Sequence, residues 1–253
     1  GPLSVLGYAS QHLAAAGHRG GYDVTIAAPA LGAVRSDTLM SLEAEVTLRD
    51  LEACDTVMIA GAPSIEEVVQ AEPEVVRWCR RHGRDTLRCA ALCTGSFFLA
   101  EAGLLDGQRA ATHWNYADRL RQRFPGIVVD ADAIFVQAGN FWTSAGVTAA
   151  IDLALAFVEQ DYGRDIALAV ARDMVMYLKR PGGQSQFSTL LTGQAAVASG
   201  MGDVLTWMSA RLDQPLTLEG IAGAAGISVR SLTRGFTAQF GASPMATLER
   251  LRC

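Results

Sequence analysis

The residues with the clearest capacity for chemistry are Cys93 and the residue that follows it, Thr94. The apolar run 87–92 predicts a buried strand and the segment after Thr94 predicts a helix, so Cys93 falls in a sharp turn between them. Unpaired N–H groups and the dipole at a helix N-terminus favour a thiolate and can also hold an oxyanion. We therefore predict a nucleophile elbow at Cys93. The N–H of Thr94 and that of Gly61, which follows the predicted strand 55–60, are the expected oxyanion or ligand donors.

His113 is the candidate base for this elbow. It follows the short predicted strand 109–112 and would lie at the same carboxyl edge as Cys93 if that strand neighbours 87–92 in the sheet. Cys93 and His113 would then form a dyad-like pair. The alternative is structural, because a buried cysteine is more often a packing residue and a lone histidine is more often a hydrogen-bonded spectator. The remaining cysteines before the C-terminus are predicted to pack and the remaining histidines to lie at the surface: Cys54, Cys79 and Cys89; His12, His18 and His82.

A second pattern, near the C-terminus, has the spacing of a helix-turn-helix. In the segment TLEGIAGAAGISVRSLTRGF, Ala222 is small where two helices would cross, Gly226 permits the turn, and Ser228 can cap the second helix. On a helix from Val229 to Phe240 the apolar residues share one face. The other face is the one that a major groove would meet, and its candidate DNA-binding residues are Arg230, Ser231, Arg234 and Thr237. The alternative is an ordinary amphipathic helix pair.

The elements that must position these residues alternate between strand and helix. The segments 22–28, 55–61 and 87–93 are predicted as buried strands of a parallel sheet, with a helical segment 64–83 between the last two. Short strands resembling a hairpin insertion follow, and then two helices that end near Pro181. We predict an α/β domain over residues 1–183, a polar linker over 184–201 and an all-α helix-turn-helix domain over 202–253.

Composition places the chain among globular proteins. Of 253 residues, half are apolar and 19% are charged, with a formal net charge of −5, which excludes a largely disordered or collagen-like chain. The most apolar stretch, Val147–Val158, is interrupted by Asp152 and is too short to cross a membrane. Five cysteines without a CxxC pair argue against disulfides and zinc, so no metal or cofactor is predicted and a reducing cytoplasm is expected. Residues 200–253 have a net charge of only +1 (5 basic, 4 acidic), so charge alone does not predict nucleic-acid binding.

Four segments resemble one family closely. AALCTGSFFLAEAGLLDGQRAATHW, TSAGVTAAIDLALAFVEQDYG, RPGGQSQFS and SVRSLTRGF are similar to the GlxA-type regulators of the AraC/XylS family. Those proteins have an N-terminal ThiJ/PfpI-like domain, which is related to class I glutamine amidotransferases. The resemblance implies a flavodoxin-like parallel sheet sandwiched by helices, and then one helix-turn-helix unit of an incomplete pair. A first strand with an acidic residue is expected before Gly1, and a second helix-turn-helix unit after Cys253.

The resemblance also implies a function. The large domain would sense a small metabolite, the C-terminal domain would bind promoter DNA, and the protein would act as a homodimer without enzymatic activity. One alternative is an enzyme of the same superfamily, an amidase, isonitrile hydratase or glyoxalase-like protein that uses Cys93 as nucleophile and His113 as base. Another is an oxidation sensor at Cys93.

Overall fold

The computed structural model describes residues 1–38, 40–51, 54–180, 183–184 and 201–252. The chain divides into two compact units, Gly1–Arg180 and Pro181–Cys253. Most of the predicted linker, residues 185–200, lies outside the described residues, as does most of the segment RPGGQSQFS. Within the described ranges, no helix combines the length and apolar composition that a membrane crossing requires.

The elements are numbered in chain order. The helices of the first unit are α1 (Pro2–Ala15), α2 (Ile65–Ala71), α3 (Pro73–His82), α4 (Ser96–Glu101), α5 (Ala117–Arg123), α6 (Ala149–Tyr162) and α7 (Arg164–Asp173). Its strands are β1 (Ala27–Ala28), β2 (Gly32–Arg35), β3 (Ser41–Ala44), β4 (Val46–Thr47), β5 (Thr56–Ile59), β6 (Arg88–Ala91), β7 (Arg109–Ala110), β8 (Val128–Val129), β9 (Phe135–Ala138) and β10 (Phe141–Ser144). The helices of the second unit are α8 (Met201–Ser209), α9 (Leu218–Ala224), α10 (Val229–Phe240) and α11 (Pro244–Arg252).

A four-stranded sheet with the order β5-β6-β10-β9 forms the centre of the first unit. Strands β5, β6 and β10 are parallel, which confirms the predicted α/β class, whereas β9 runs antiparallel to β10. The antiparallel pair at this edge agrees with the hairpin-like insertion that the sequence predicted for this segment. A short turn between β9 and β10 joins them as a hairpin, and a hairpin connects antiparallel strands.

Helices cover both faces of this sheet, as predicted. Alternate residues of a strand point to opposite faces. Val57 and Cys89 pack into the core that includes α2, α3 and α4. Met58 and Ala90 pack on the other side, against Phe157 and other residues of α6. The sheet therefore holds its carboxyl edge, where β5 and β6 end, between two helical layers.

The predicted strand 22–28 is wrong for most of its length. Only Ala27 and Ala28 are in a strand, and they pair with Val46–Thr47 in a two-stranded sheet of their own. The backbone N–H of Tyr22 instead donates to the Ser10 hydroxyl at 2.9 Å, and the Tyr22 hydroxyl donates to Asp161 at 2.7 Å. At Tyr22, side chains from α1 and α6 therefore take the place of a neighbouring strand.

The end of the first unit is held by a buried ion pair. The Nε atom of Arg180 donates to the carboxylate oxygens of Asp152 at 2.9 and 3.0 Å. The side chain of Asp152 is 5% exposed and that of Arg180 14% exposed. Asp152 lies in the first turn of α6, where a negative charge is also favoured by the helix dipole.

We predict that Asp152→Ala lowers the free energy of unfolding by about 3 kcal/mol, because it leaves a buried guanidinium without its carboxylate. Urea unfolding followed by circular dichroism measures the change. Asp118→Ala is the matched control: its ion pair with Arg121 is solvent-exposed, so its loss should cost about 0.5 kcal/mol or less. Equal effects of the two substitutions would contradict the assigned role of the buried pair.

The second unit is a cluster of helices around a small apolar core. Leu205 and Met208 of α8, Leu232 and Phe236 of α10, and Leu248 of α11 are buried together. The unit thus has a core of its own, as the predicted helix-turn-helix domain requires.

Candidate functional site

Cys93 lies in a sharp turn between β6 and α4, as predicted. Its φ angle is +57°, and residues 93–95 form one turn of 3-10 helix before α4 begins at Ser96. A positive φ is uncommon for a residue with a side chain, and backbone strain of this kind concentrates at functional sites. The backbone geometry therefore confirms the predicted elbow.

Two glycines permit the loop after β5 to approach the elbow closely. A Cβ atom on Gly95 would lie 2.4 Å from the carbonyl oxygen of Ile59, and one on Gly61 would lie 2.9 Å from the backbone nitrogen of Thr94. Neither position has room for a side chain. The two predicted donors, Gly61 and Thr94, are thus brought together, and their role as oxyanion or ligand donors remains a prediction.

The side chain of Thr94 joins the same two segments by hydrogen bonds. Its hydroxyl donates to the carbonyl oxygen of Ala62 and accepts from the N–H of Ala62, both at 2.9 Å. Thr94 is buried, so these bonds satisfy a hydroxyl that would otherwise be costly to desolvate. The sequence pattern indicated only the backbone of Thr94, and the structural role of its side chain was missed.

His113 reaches the elbow by a different route from the one predicted. Strand β7 does not neighbour β6, because Arg109 and Ala110 pair with β8. Instead, the hydroxyl of Thr112 donates to the carbonyl oxygen of Cys93 at 3.1 Å and accepts a hydrogen bond from the Ser96 hydroxyl at 2.9 Å. This contact brings the segment that contains His113 to the elbow. The threonine directly before the histidine could have indicated this contact from the sequence.

The ring of His113 has its own neighbours. Its Nδ1 atom accepts from the N–H of Asn115 at 3.3 Å, and a Cβ atom on Gly146 would lie 3.0 Å from its Cδ2 atom. Within the described residues, the hydrogen bonds of the ring do not include one to the Cys93 thiol. Gly146 was not singled out by the sequence, although it lies directly against the candidate base.

Burial disfavours the charged form of both members of the predicted dyad. Burial raises the pKa of the Cys93 thiol. This effect is larger than the lowering of the pKa by hydrogen bonds from the Thr94 N–H and hydroxyl, and the Asp37 carboxylate raises the pKa further. Burial lowers the pKa of His113. Desolvation thus opposes the thiolate that a helix N-terminus favours, and the dyad-like role of Cys93 and His113 remains a prediction. A neutral thiol is a weak nucleophile and is slow to oxidise.

We predict that Cys93 reacts slowly with iodoacetamide at pH 7. Its labelling rate should increase only at a higher pH than the rate of free cysteine does, whose pKa is about 8.5. Peptide mass mapping after timed labelling separates Cys93 from the other cysteines. The same protein in urea is the control and should react like free cysteine. Rapid labelling of folded Cys93 at pH 7 would refute the neutral thiol.

The predicted helix-turn-helix residues lie where the sequence placed them. Gly226 has a φ of +65°, as its turn requires, and Gly241 at the end of α10 has a φ of +66°. The hydroxyl of Ser228 accepts from the N–H of Ser231 at 3.1 Å and so caps α10. These features confirm the predicted helix-turn-helix geometry.

The outward face of α10 is exposed at three of its four predicted positions. Arg230, Arg234 and Thr237 are exposed, whereas Ser231 is half-buried. The hydroxyl of Ser231 lies 2.9 Å from that of Ser228. Ser231 thus helps to organise the cap, and the three exposed side chains are the better candidates for reaching another molecule.

Gly235, a poor helix former in the middle of α10, has a packing role. A Cβ atom there would lie 2.8 Å from the sulfur of Met201. The glycine therefore lets α8 approach the helix closely, which accounts for a residue that otherwise costs about 0.5–1 kcal/mol in a helix.

The chain matches known proteins over both units. Residues 7–160 match the DJ-1/PfpI family. The HTH-type transcriptional regulator CdhR of Pseudomonas aeruginosa is 30% identical over 213 residues, which cover 84% of this chain and 62% of CdhR. Isonitrile hydratase of Pseudomonas putida is 33% identical over 137 residues, which cover 54% of this chain and 58% of the enzyme. The chain thus spans about three fifths of the length of these curated relatives.

A solved structure has the same fold as the first unit. The crystal structure of an AraC family transcriptional regulator from Pseudomonas putida superposes with a TM-score of 0.58 at 23% identity, over 68% of this chain and 89% of that one. At this identity the likeness concerns the fold alone. The sequence matches confirm the resemblance to regulators that contain a ThiJ/PfpI-like domain.

Proposed function

Because the chain belongs to the DJ-1/PfpI family, and because HTH-type regulators are among its relatives, we propose that it is a ligand-responsive transcription regulator of the AraC/XylS type. The second unit binds promoter DNA and the first senses a small metabolite at the Cys93 edge. The protein acts in the cytoplasm. The observation that carries the proposal is a capped helix-turn-helix unit that exposes two arginines and a threonine on one face of α10.

The DNA-binding part of the proposal is supported by the exposed face of α10. An α-helix fits the major groove, where arginine can donate two hydrogen bonds to a guanine. Arg230 and Arg234 lie one helical turn apart and are both exposed. The buried face of the same helix, with Leu232 and Phe236, fixes the orientation of these side chains.

We predict that Arg234→Ala weakens specific DNA binding by about 1–3 kcal/mol in the full-length protein, the contribution of one good base contact. Fluorescence anisotropy with DNA selected in vitro from a random pool measures it. Arg172→Ala, an exposed arginine of the first unit, is the control and should leave the titration unchanged. If Arg234→Ala titrates like the unsubstituted protein, Arg234 is not part of the DNA interface.

A homodimer is part of the same proposal. Two-fold symmetric proteins of this class bind paired half-sites, which increases affinity through avidity. Sedimentation equilibrium of the full-length protein tests it, and a monomer at the concentrations that occupy DNA would contradict it.

The sensing part of the proposal rests on the geometry around Cys93. Close-fitting glycines lie beside Cys93 at the carboxyl edge of the sheet, which is where open α/β sheets bind ligands. Burial disfavours the charged forms of Cys93 and His113. To act as an effector, a metabolite must bind one state of the protein better than another, since equal affinity for both states shifts nothing.

We predict that a metabolite bound at this edge raises the melting temperature of the protein, and that Gly146→Val abolishes the shift by placing a side chain against His113. A thermal-shift panel of amino acids, amines, organic acids and sugars identifies the compound. Gly7→Ala, at a helical position with open space around it, is the control. A compound that stabilises Gly146→Val as much as the unsubstituted protein does not bind at this edge.

An enzyme is the second candidate function. The left-handed backbone at Cys93 and the similarity to isonitrile hydratase favour it, whereas the raised pKa of the thiol counts against it. Turnover of isonitriles, amides or methylglyoxal that disappears in Cys93→Ser would support the enzyme. Absence of turnover on all three substrate classes would count against the enzyme and favour the sensing role of the first unit.

A further inference from the structure

A groove of about 440 Å³ lies on the first unit, among α2, α3 and the last residues of α4 and α5. Glu101 lines it at the end of α4 that is remote from the elbow, so the groove is separate from the Cys93 edge. Val69, Pro73 and Val76 provide its apolar wall. Its volume is within the range of small-molecule sites, which are mostly apolar with a few convergent polar groups.

Three arginines line the same groove: Arg77, Arg80 and Arg123. This concentration of positive charge is unusual for its surroundings, because residues 1–199 contain 16 basic and 22 acidic residues, a net charge of −6. Guanidinium groups match carboxylates and phosphates, to which they can donate two parallel hydrogen bonds.

Two of these guanidinium groups are held in place. One nitrogen of Arg123 donates to the Glu101 carboxylate at 2.8 Å, and one nitrogen of Arg80 donates to the Glu101 carbonyl oxygen at 3.0 Å. Each of these bonds uses one nitrogen of a group with five N–H donors. The remaining donors are available to a ligand, and the fixed geometry lowers the entropy cost of binding one.

The carboxylates nearby do not cancel the positive charge. Glu101 faces Arg123, and Glu74 lies 3.5 Å from Arg77 but also 3.0 Å from Arg49. The residues that line the groove include three arginines and one glutamate, an excess of two positive charges. A ligand with two negative charges would neutralise this excess.

We propose that this groove binds a small dianion with an apolar part, a dicarboxylate or a phosphate monoester, at a second site separate from the Cys93 edge. The arginines bind the anionic groups and the apolar wall packs against the rest of the molecule. The proposal is independent of the DNA-binding function.

Isothermal titration calorimetry at constant ionic strength tests the proposal with glutarate, phenyl phosphate and the monoanion butyrate. We expect glutarate or phenyl phosphate to bind and butyrate to bind at least tenfold more weakly, since it has one charge fewer. Binding of phenyl phosphate alone assigns the site to phosphate esters, and binding of glutarate alone assigns it to dicarboxylates. The absence of binding by either dianion, or equal binding of butyrate, overturns the proposal.

Three variants localise the site. Arg123→Gln removes a donor, and Gln70→Glu places a negative charge in the groove at an exposed lining residue, so each should weaken binding about tenfold. Because Arg123→Gln also breaks an ion pair, Gln70→Glu provides the test without that loss. Arg81→Gln, an exposed arginine of α3 outside the groove, is the matched control. An equal loss in Arg81→Gln would show diffuse charge attraction and overturn the proposed site.

Discussion

The close approach of the loop after β5 to the Cys93 turn is the constraint on which the candidate sensor site depends. Gly95 packs against the carbonyl oxygen of Ile59 and Gly61 packs against the backbone of Thr94, at distances that exclude any Cβ atom. The hydrogen bonds of the Thr94 hydroxyl then fix the two segments together. With its neighbours held in this way, Cys93 has a left-handed backbone, and the packing around it offsets the strain.

A second set of contacts extends from the elbow to the end of the first unit. Thr112 bonds the backbone of Cys93, which positions His113, and His113 lies against Gly146 just before α6. In the first turn of α6, Asp152 pairs with Arg180, the last residue of the unit. These contacts fix the segments on either side of β10 and at the end of the first unit relative to the elbow.

The sequence predicted the features that short-range chemistry determines. Strands 55–61 and 87–93 were recognisable because most of their residues are apolar, and the second of them leads directly to the elbow. Gly226 and Ser228 were recognisable because a turn needs positive φ and a helix needs a cap. Each of these predictions depends on a residue type whose conformational preference is local, and the structure confirms them.

Features that depend on distant partners were not predictable in the same way. The segment at Tyr22 has the composition of a strand, but the partners of Tyr22 are the side chains of Ser10 and Asp161, which lie on two helices. Gly83 is the C-cap residue of α3, with a φ of −61° that any residue could adopt. A Cβ atom there would lie 2.7 Å from the carbonyl oxygen of Cys79, so the glycine is needed for space. A single sequence does not reveal such long-range contacts.

The charge state of Cys93 separates binding from catalysis at this elbow. The same backbone turn can present a nucleophile or form one wall of a binding site, because the turn determines position and not reactivity. Reactivity requires a thiolate, and in this chain the burial of Cys93 and the negative charge of Asp37 oppose its formation. His113, whose pKa is lowered by burial, cannot supply the positive charge that would compensate. The site thus combines the backbone geometry of an elbow with a burial that disfavours the charged forms of both side chains.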